Sequence, residues 1–293
     1  MQPNIELQKP RDFGEIINDT FIFIRQNIKP LLKYFFIFCG FFVVAIAVTS
    51  ILQALKMLSI TNAGADSFVN NSRFAQFGIE YFLNLFFVLL GYTAISVTVF
   101  CYVALYKIKG NIAPDTEEMW GYFKFYYLKS LLYCLLLGIL LIAGLVFCLI
   151  PGIYLYPIFA LVLPIMIIEN TTFGYAFNHS FKLIKDNWWA TFGALLIIFI
   201  IVSVARVIFI LPSILVNAGS LLFHLSTNKI SVAVVILVNV IQQIATVFQI
   251  IPVVTICLCY FNLTESKEGT GLLDRIKNFG TGNPGENITP EEY

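Results

Sequence analysis

The chain has 293 residues, 59% of them apolar and 12% charged, where an average soluble protein is about half apolar and a quarter charged. A mean hydropathy of +0.84 marks an integral membrane protein and leaves no stretch for a separate water-soluble catalytic domain of ordinary size. With 18 Lys and Arg against 17 Asp and Glu, bulk charge excludes nucleic-acid binding.

The expected fold is all-α: a polytopic membrane protein of six transmembrane helices, arranged as three hairpins with interfacial amphipathic helices. It divides into a cytoplasmic N-terminus (1–33), a six-helix membrane domain (34–262) and a cytoplasmic, partly disordered tail (263–293). The first 33 residues hold no continuous apolar core, so no cleavable signal peptide is expected. Instead Phe13, Ile16, Ile17, Thr20, Phe21, Ile24 and Ile28 recur at spacings of three and four, the stripe of an amphipathic helix. Asp12 is placed to cap it, with Glu15 in the capping-box position, and Pro30 marks its end.

Uncharged runs then give spans at 34–55, 79–106, 128–150, 152–168, 190–216 and 230–262. Between the third and fourth, Pro151 and Gly152 are the only turn residues and predict a tight hairpin. Pro157 and Pro164 fall inside the fourth span, where each is expected to bend the helix for packing. All six cysteines lie inside spans and read as packing residues, with no disulfide or metal spacing among them. The 56–78 loop carries no motif, and the Gly-, Asn-, Pro- and Glu-rich end is expected to be disordered.

Orientation follows from Lys and Arg near the span ends. Fourteen fall on the side of the N-terminus, of the loops after the second and fourth spans, and of the tail. Three, Lys56, Arg73 and Lys229, fall on the other side, so both termini are expected in the cytoplasm.

The segment 13–27 returns 160 positions later, with Phe13, Gly14, Asn18, Phe21, Ile24 and Asn27 matching Phe173, Gly174, Asn178, Phe181, Ile184 and Asn187. Thr20 and Arg25 answer conservatively to Ser180 and Lys185, giving a second amphipathic helix over 173–189. A fainter third copy near Trp120 sets Phe123 and Lys124 against Phe181 and Lys182. Three parallel units result, each an amphipathic helix plus a hairpin, with Trp188, Trp189, Tyr126, Tyr127 and Tyr34 as an aromatic belt. Their polar faces mix acids and bases, which fits anchoring better than lipid sensing.

One basic residue, Arg206, is left inside a span and is a functional candidate by its depth. Its expected partners are Glu80 and Asn84 at the start of the second span and Gln53 at the end of the first. In the sixth span Asn239, Gln242, Gln243, Thr246 and Gln249 form a polar stripe at helical spacing. Together these residues would line a polar cavity for an anion or a lipid headgroup; the alternative is that they hydrogen-bond between helices, with Arg206 snorkelling outward. No catalytic constellation, metal cluster or phosphate loop is found, and no cofactor is expected. His179 and His224 have no local catalytic partner, and His179 reads as solvated or headgroup-facing.

The run Ile150, Pro151, Gly152, Ile153, Tyr154 and Leu155, continued by Pro164, Glu169, Ala176, Ser180, Phe181, Leu183, Lys185, Asn187, Trp188 and Phe192, resembles a known pattern. It is similar to the membrane domain of some glycerophosphoryl diester phosphodiesterases and of stand-alone bacterial membrane proteins. The resemblance implies a helical module of the bacterial cytoplasmic membrane and carries over no catalytic residue, because hydrolysis in the fused members belongs to a separate domain. The leading expectation is a non-enzymatic accessory or scaffold protein that contacts membrane lipid and protein partners. A small transporter or lipid-handling protein built on Arg206 comes second, and an intramembrane enzyme third.

Overall fold

The computed structural model describes residues 5–62, 78–147, 149–222 and 232–269. Among them the elements are helical throughout: α1 (Phe13–Tyr34), a π-helical turn (Phe35–Cys39), α2 (Gly40–Asn62), α3 (Ile79–Ile108), α4 (Thr116–Phe147), α5 (Leu149–Ile168), α6 (Phe173–Ile184), α7 (Trp188–Leu222), α8 (Val232–Ile244), a 3-10 turn (Ala245–Gln249) and α9 (Ile250–Glu268). Six helical stretches are long and apolar enough to cross a membrane, and the fold is all-α and polytopic. The tail from residue 270, His224, Cys148 and the 63–77 part of the loop lie outside the described residues.

The six stretches sort into two classes by how much of each is covered. In α3, α5 and α8–α9 the most apolar windows are 61%, 61% and 56% buried, against 28%, 11% and 22% in α1–α2, α4 and α7. The second helix of each hairpin therefore forms the centre, and α3, α5 and α9 touch one another there. Their buried stretches are 93–106, 157–167 and 253–264, apart from a few half-covered positions, while the first helices of the hairpins expose apolar side chains along much of their length.

Local chemistry explains the helix boundaries. Asp12 and Glu15 form a reciprocal capping box at the start of α1, with the Asp12 amide donating to Glu15 Oε2 at 3.1 Å. Asp115 and Glu118 repeat the return bond at the start of α4, at 3.0 Å. The third span accordingly begins inside a helix that starts twelve residues earlier than its apolar run. The break in α1 comes at Asn27 (φ −111°, ψ 15°), just before the expected end at Pro30, because a proline cannot donate to the carbonyl four residues back. Asn27 spans the break: its Nδ2 donates to the Phe23 carbonyl at 3.0 Å and its Oδ1 accepts from the Tyr102 hydroxyl at 2.7 Å.

Pro151 and Gly152 do not form the turn between the third and fourth spans. Both lie in the first turn of α5, which begins at Leu149. Pro151 is tolerated there because the first amides of a helix have no intrahelical acceptor. Gly152 serves close packing instead: a Cβ on it would meet the Leu145 side chain at 2.4 Å and the Leu145 Cα at 3.0 Å. Downstream, α5 continues through Pro157 and Pro164 as one helix.

Three helical segments, α1, α6 and the first turns of α4, dock in the same sense. α1 packs on α9 and α7, where Thr20 Oγ1 reaches Thr255 Oγ1 at 3.3 Å and the Phe13 ring covers Gly193. The first turns of α4 pack on the first hairpin, with Phe123 stacked on Phe38 and Tyr127 against Phe42. α6 turns back along α5, with Phe177 against Phe159 and the Trp188 indole donating to the Tyr154 carbonyl at 3.0 Å. Each segment thus lies on the hairpin before it, and the first lies on the last, which closes the set.

Candidate functional site

At the far end of the apolar helices, Glu80, Asn84 and Arg206, expected to line one cavity, each bond to a different partner. Glu80 Oε2 pairs with Lys56 Nζ at 2.7 Å across the mouth of the first hairpin. Asn84 donates to Thr49 and Ser50 on α2 at 3.1 and 2.9 Å. Gln53, half-buried, lies one turn before Lys56. Arg206 instead reaches the Tyr92 hydroxyl at 3.4 Å, a long hydrogen bond across from α7 to α3.

The stripe in the sixth span is interrupted. Asn239 donates to its own helix, to the Val235 carbonyl at 2.8 Å, and Gln242 and Gln243 are half-buried near the end of α8. The chain then tightens into the 3-10 turn Ala245–Gln249, which has three residues per turn, so Thr246 and Gln249 rotate off the line that Asn239, Gln242 and Gln243 begin. A spacing argument assumes an unbroken α-helix, and here the helix changes type within the stripe.

The two segments expected to be copies, 13–27 and 173–187, lie wholly within the described residues. Ile16, Thr20, Phe23 and Asn27 face inward on α1, and their counterparts Ala176, Ser180 and Leu183 are buried on α6. Asn187 stands at the matching break, where its amide donates to the Ile184 carbonyl at 3.0 Å before α7 begins at Trp188. The second helix therefore ends at Ile184, short of the expected 189. Phe13 and Phe21 are 38% and 39% exposed, Phe173 and Phe181 are half-buried, and Asn18, Arg25, Asn178 and Lys185 face outward. Near Trp120 the register differs by one from the sequence reading. Aligning the capping residues Asp12, Asp115 and Thr172 sets Met119 with Ile16 and Ala176, Phe123 with Thr20 and Ser180, and Tyr126 with Phe23 and Leu183, and all nine side chains are buried.

The densest polar assembly was not expected from sequence, and lies where the ends of α5, α6 and α9 and the N-terminal arm converge. Arg11 is wholly buried at its side chain; Nε donates to Asp19 Oδ2 at 2.9 Å, Nη1 to the Leu7 and Lys9 carbonyls, and Nη2 to the Glu6 carbonyl. Its amide donates to Asn262 Oδ1 on α9 at 2.7 Å, which ties the arm to the last helix. On the other side of α9, Tyr260 donates to Glu169 Oε1 at 2.9 Å. His179 Nε2 lies 3.7 Å from that oxygen and 3.5 Å from Glu268 Oε1, with its ring stacked on Tyr175 at 5.2 Å. Lys267 pairs with Asp186 at 2.8 Å and donates to the Lys182 carbonyl at 2.7 Å, which holds Asp186 below the usual carboxylate range. These contacts join residues up to 251 positions apart, so no local pattern announces them.

Beside this assembly a cavity of about 520 Å³ opens between α4 and the α5–α6 connection, lined by Lys129, Tyr133, Met166, Thr171, Phe173 and Tyr175 among others. Among the described residues no cluster of His, Cys, Asp and Glu is arranged to hold a metal ion. Comparison with protein families, with curated proteins and with solved structures finds no match to this chain.

Proposed function

We propose that the protein is a non-enzymatic integral membrane protein, an accessory or scaffold subunit whose amphipathic segments and tail meet lipid and protein partners. The observation that carries this reading is the use made of its polar side chains. Arg11, Asp19, Asn27, Glu80, Asn84 and Glu169 each bond to a neighbouring helix or to the N-terminal arm, and so serve to hold segments together. The outward side of α1 supports the lipid half of the proposal: Phe13, Phe21 and Ile28 are 38%, 39% and 47% exposed beside exposed Arg25 and Lys29, a suitable composition for an interface. The three docked segments support an origin as a repeated unit of amphipathic helix plus hairpin.

The likeness of the 150–192 segment to the phosphodiesterase-associated membrane domain favours the same reading and a bacterial cytoplasmic membrane. Both described ends, the arm before α1 and the end of α9, meet at Arg11 and Asn262, which accords with termini on one side, the side of the basic loops. Purification from native membranes in a mild detergent, followed by native mass spectrometry, tests the scaffold role. A stoichiometric partner subunit is the expected result, and recovery of the chain alone with only lipid bound speaks against it.

A second reading, transport of an anion or handling of a headgroup near Arg206, keeps one observation in its favour. The guanidinium lies between apolar helices with a tyrosine hydroxyl as its recorded contact and no carboxylate within ion-pair distance among the described residues. Arg206→Leu would abolish such an activity in proteoliposomes while leaving the protein folded, and an unchanged flux would remove the idea.

A further inference from the structure

The imidazole of His179 poses a question that neither packing nor the scaffold role answers. Its Nε2 is fully covered and makes no hydrogen bond, yet it faces two carboxylates from two different helices, Glu169 at the end of α5 at 3.7 Å and Glu268 at the end of α9 at 3.5 Å. Buried polar atoms are nearly always satisfied, so an orphan ring nitrogen in acidic surroundings needs a cause. Both separations are too long for a hydrogen bond and short enough for an ion pair. The side chain is 13% exposed, so a charge on it would be only partly screened.

We propose that His179 is a proton-binding site which latches the end of α9 to α5 and α6. With the imidazole neutral, a ring nitrogen without a partner faces carboxylate oxygens that also attract none of its charge. Protonating the ring leaves an N–H donor at Nε2 whichever nitrogen takes the proton, places a positive charge between Glu169 and Glu268, and makes both contacts ion pairs. The proton comes from solvent, and no other bond is made or broken.

The surrounding groups suit a switch rather than a permanent pair. Glu169 is already oriented by the Tyr260 hydroxyl from α9, and the Tyr175 ring on α6 holds the imidazole plane by stacking. The neighbouring cation from α9, Lys267, is engaged with Asp186 and the Lys182 carbonyl and so is occupied away from the two glutamates. Lys182 itself is exposed on the outer side of α6. Histidine is the side chain that ordinarily changes charge between about pH 5 and 8, and the latch is closed with the ring protonated and released with it neutral. What the latch controls is how firmly the last turns of α9 are held to α5 and α6.

The test uses the full-length protein in nanodiscs of neutral lipid. The chain has two histidines, so selective ¹³C labelling of histidine, with His224→Asn to leave one signal, follows His179 directly. Hydrogen exchange of the last two turns of α9 is read over the same range and corrected for the intrinsic pH dependence of exchange. The expected result is a one-proton transition of the ring between pH 5 and 8, with α9 protection falling about fivefold across it. Glu268→Gln should roughly halve that step in logarithmic terms, and His179→Gln should remove it. An imidazole that stays neutral down to pH 5, or a protection step that survives His179→Gln, overturns the proposal. Should the His179 variant fail to fold, the ring titration in the unaltered pocket and the Glu268→Gln comparison still decide it.

Discussion

The two ends of the bundle use polar side chains in opposite ways. Where α1, α6 and the ends of α5 and α9 meet, polar groups are numerous, buried and multiply bonded; the Arg11 side chain alone donates to Asp19 and to three carbonyls. At the other end, among the described residues, Glu80 pairs with Lys56, Asn84 donates to two hydroxyls of α2, and Arg206 reaches one tyrosine. Apolar packing follows the same gradient, since the buried parts of α3, α5 and α9 begin near Thr93, Pro157 and Ile250 and run towards the first end. Bilayer-facing helix surfaces need no mutual burial, whereas a water-facing end holds its shape only by making a core and satisfying its polar groups.

That contrast can be broken most severely at the packed end. Phe23→Ala removes a ring that is 1% exposed and lies edge-on to Tyr106 at 5.5 Å, and is expected to cost about 3–5 kcal/mol in detergent unfolding. Arg11→Met should cost about 3 kcal/mol by leaving Asp19 buried beside only the weaker Lys9 contact at 3.4 Å; loss of less than about 1 kcal/mol would mean that the arm is not integral to the fold. Tyr102→Phe, which strips the hydroxyl from Asn27 at the break in α1, is expected to cost about 1–2 kcal/mol, read as a lowered midpoint with an unchanged slope.

At the sparse end, Glu80→Gln should shift the unfolding midpoint far less than Arg11→Met, because both partners of that pair are partly solvated. A cost as large as that of Arg11→Met would erase the contrast. The smallest effect is one of pH. Asp186 is held below its ordinary range chiefly by the hydrogen bond from Lys267, so its contribution to folding is complete above the unfolded-state value and is lost as pH falls through the folded one. Lys267→Met should remove that acid-side loss without altering unfolding at neutral pH by more than a surface pair accounts for, as followed by thermal melts between pH 3 and 6.

Much of this architecture was legible in the sequence, and the part that was not has a common reason. Apolar runs locate helices because the bilayer rewards length and composition, which are local properties. The capping box at Asp12 and Glu15 is likewise local and reads correctly, and Asn27 and Asn187 both stand at helix breaks. Pro151 and Gly152 misled because turn residues and close-packing residues share a composition, and only the approach of Leu145 tells them apart. Arg206 misled differently: depth in a span is a local inference, but a partner is not, and Glu80 had a nearer cation in Lys56. The buried face of α1 was also drawn slightly off centre, since Phe23 and Leu31 turn inward while Phe21 and Ile28 do not.

By itself, then, the sequence determined that the chain is a membrane protein of six long apolar helices, where α1 is capped, and how its basic residues are distributed. Those features depend on residues within a few turns of one another. Only the tertiary structure decided that α3, α5 and α9 form the centre, that α1, the start of α4 and α6 each lie on a hairpin, and that His179 meets Glu169 and Glu268. A hydrogen bond or ion pair needs atoms within about 3–4 Å, and residues such as Arg11 and Asn262 reach that distance only after every helix between them has been placed.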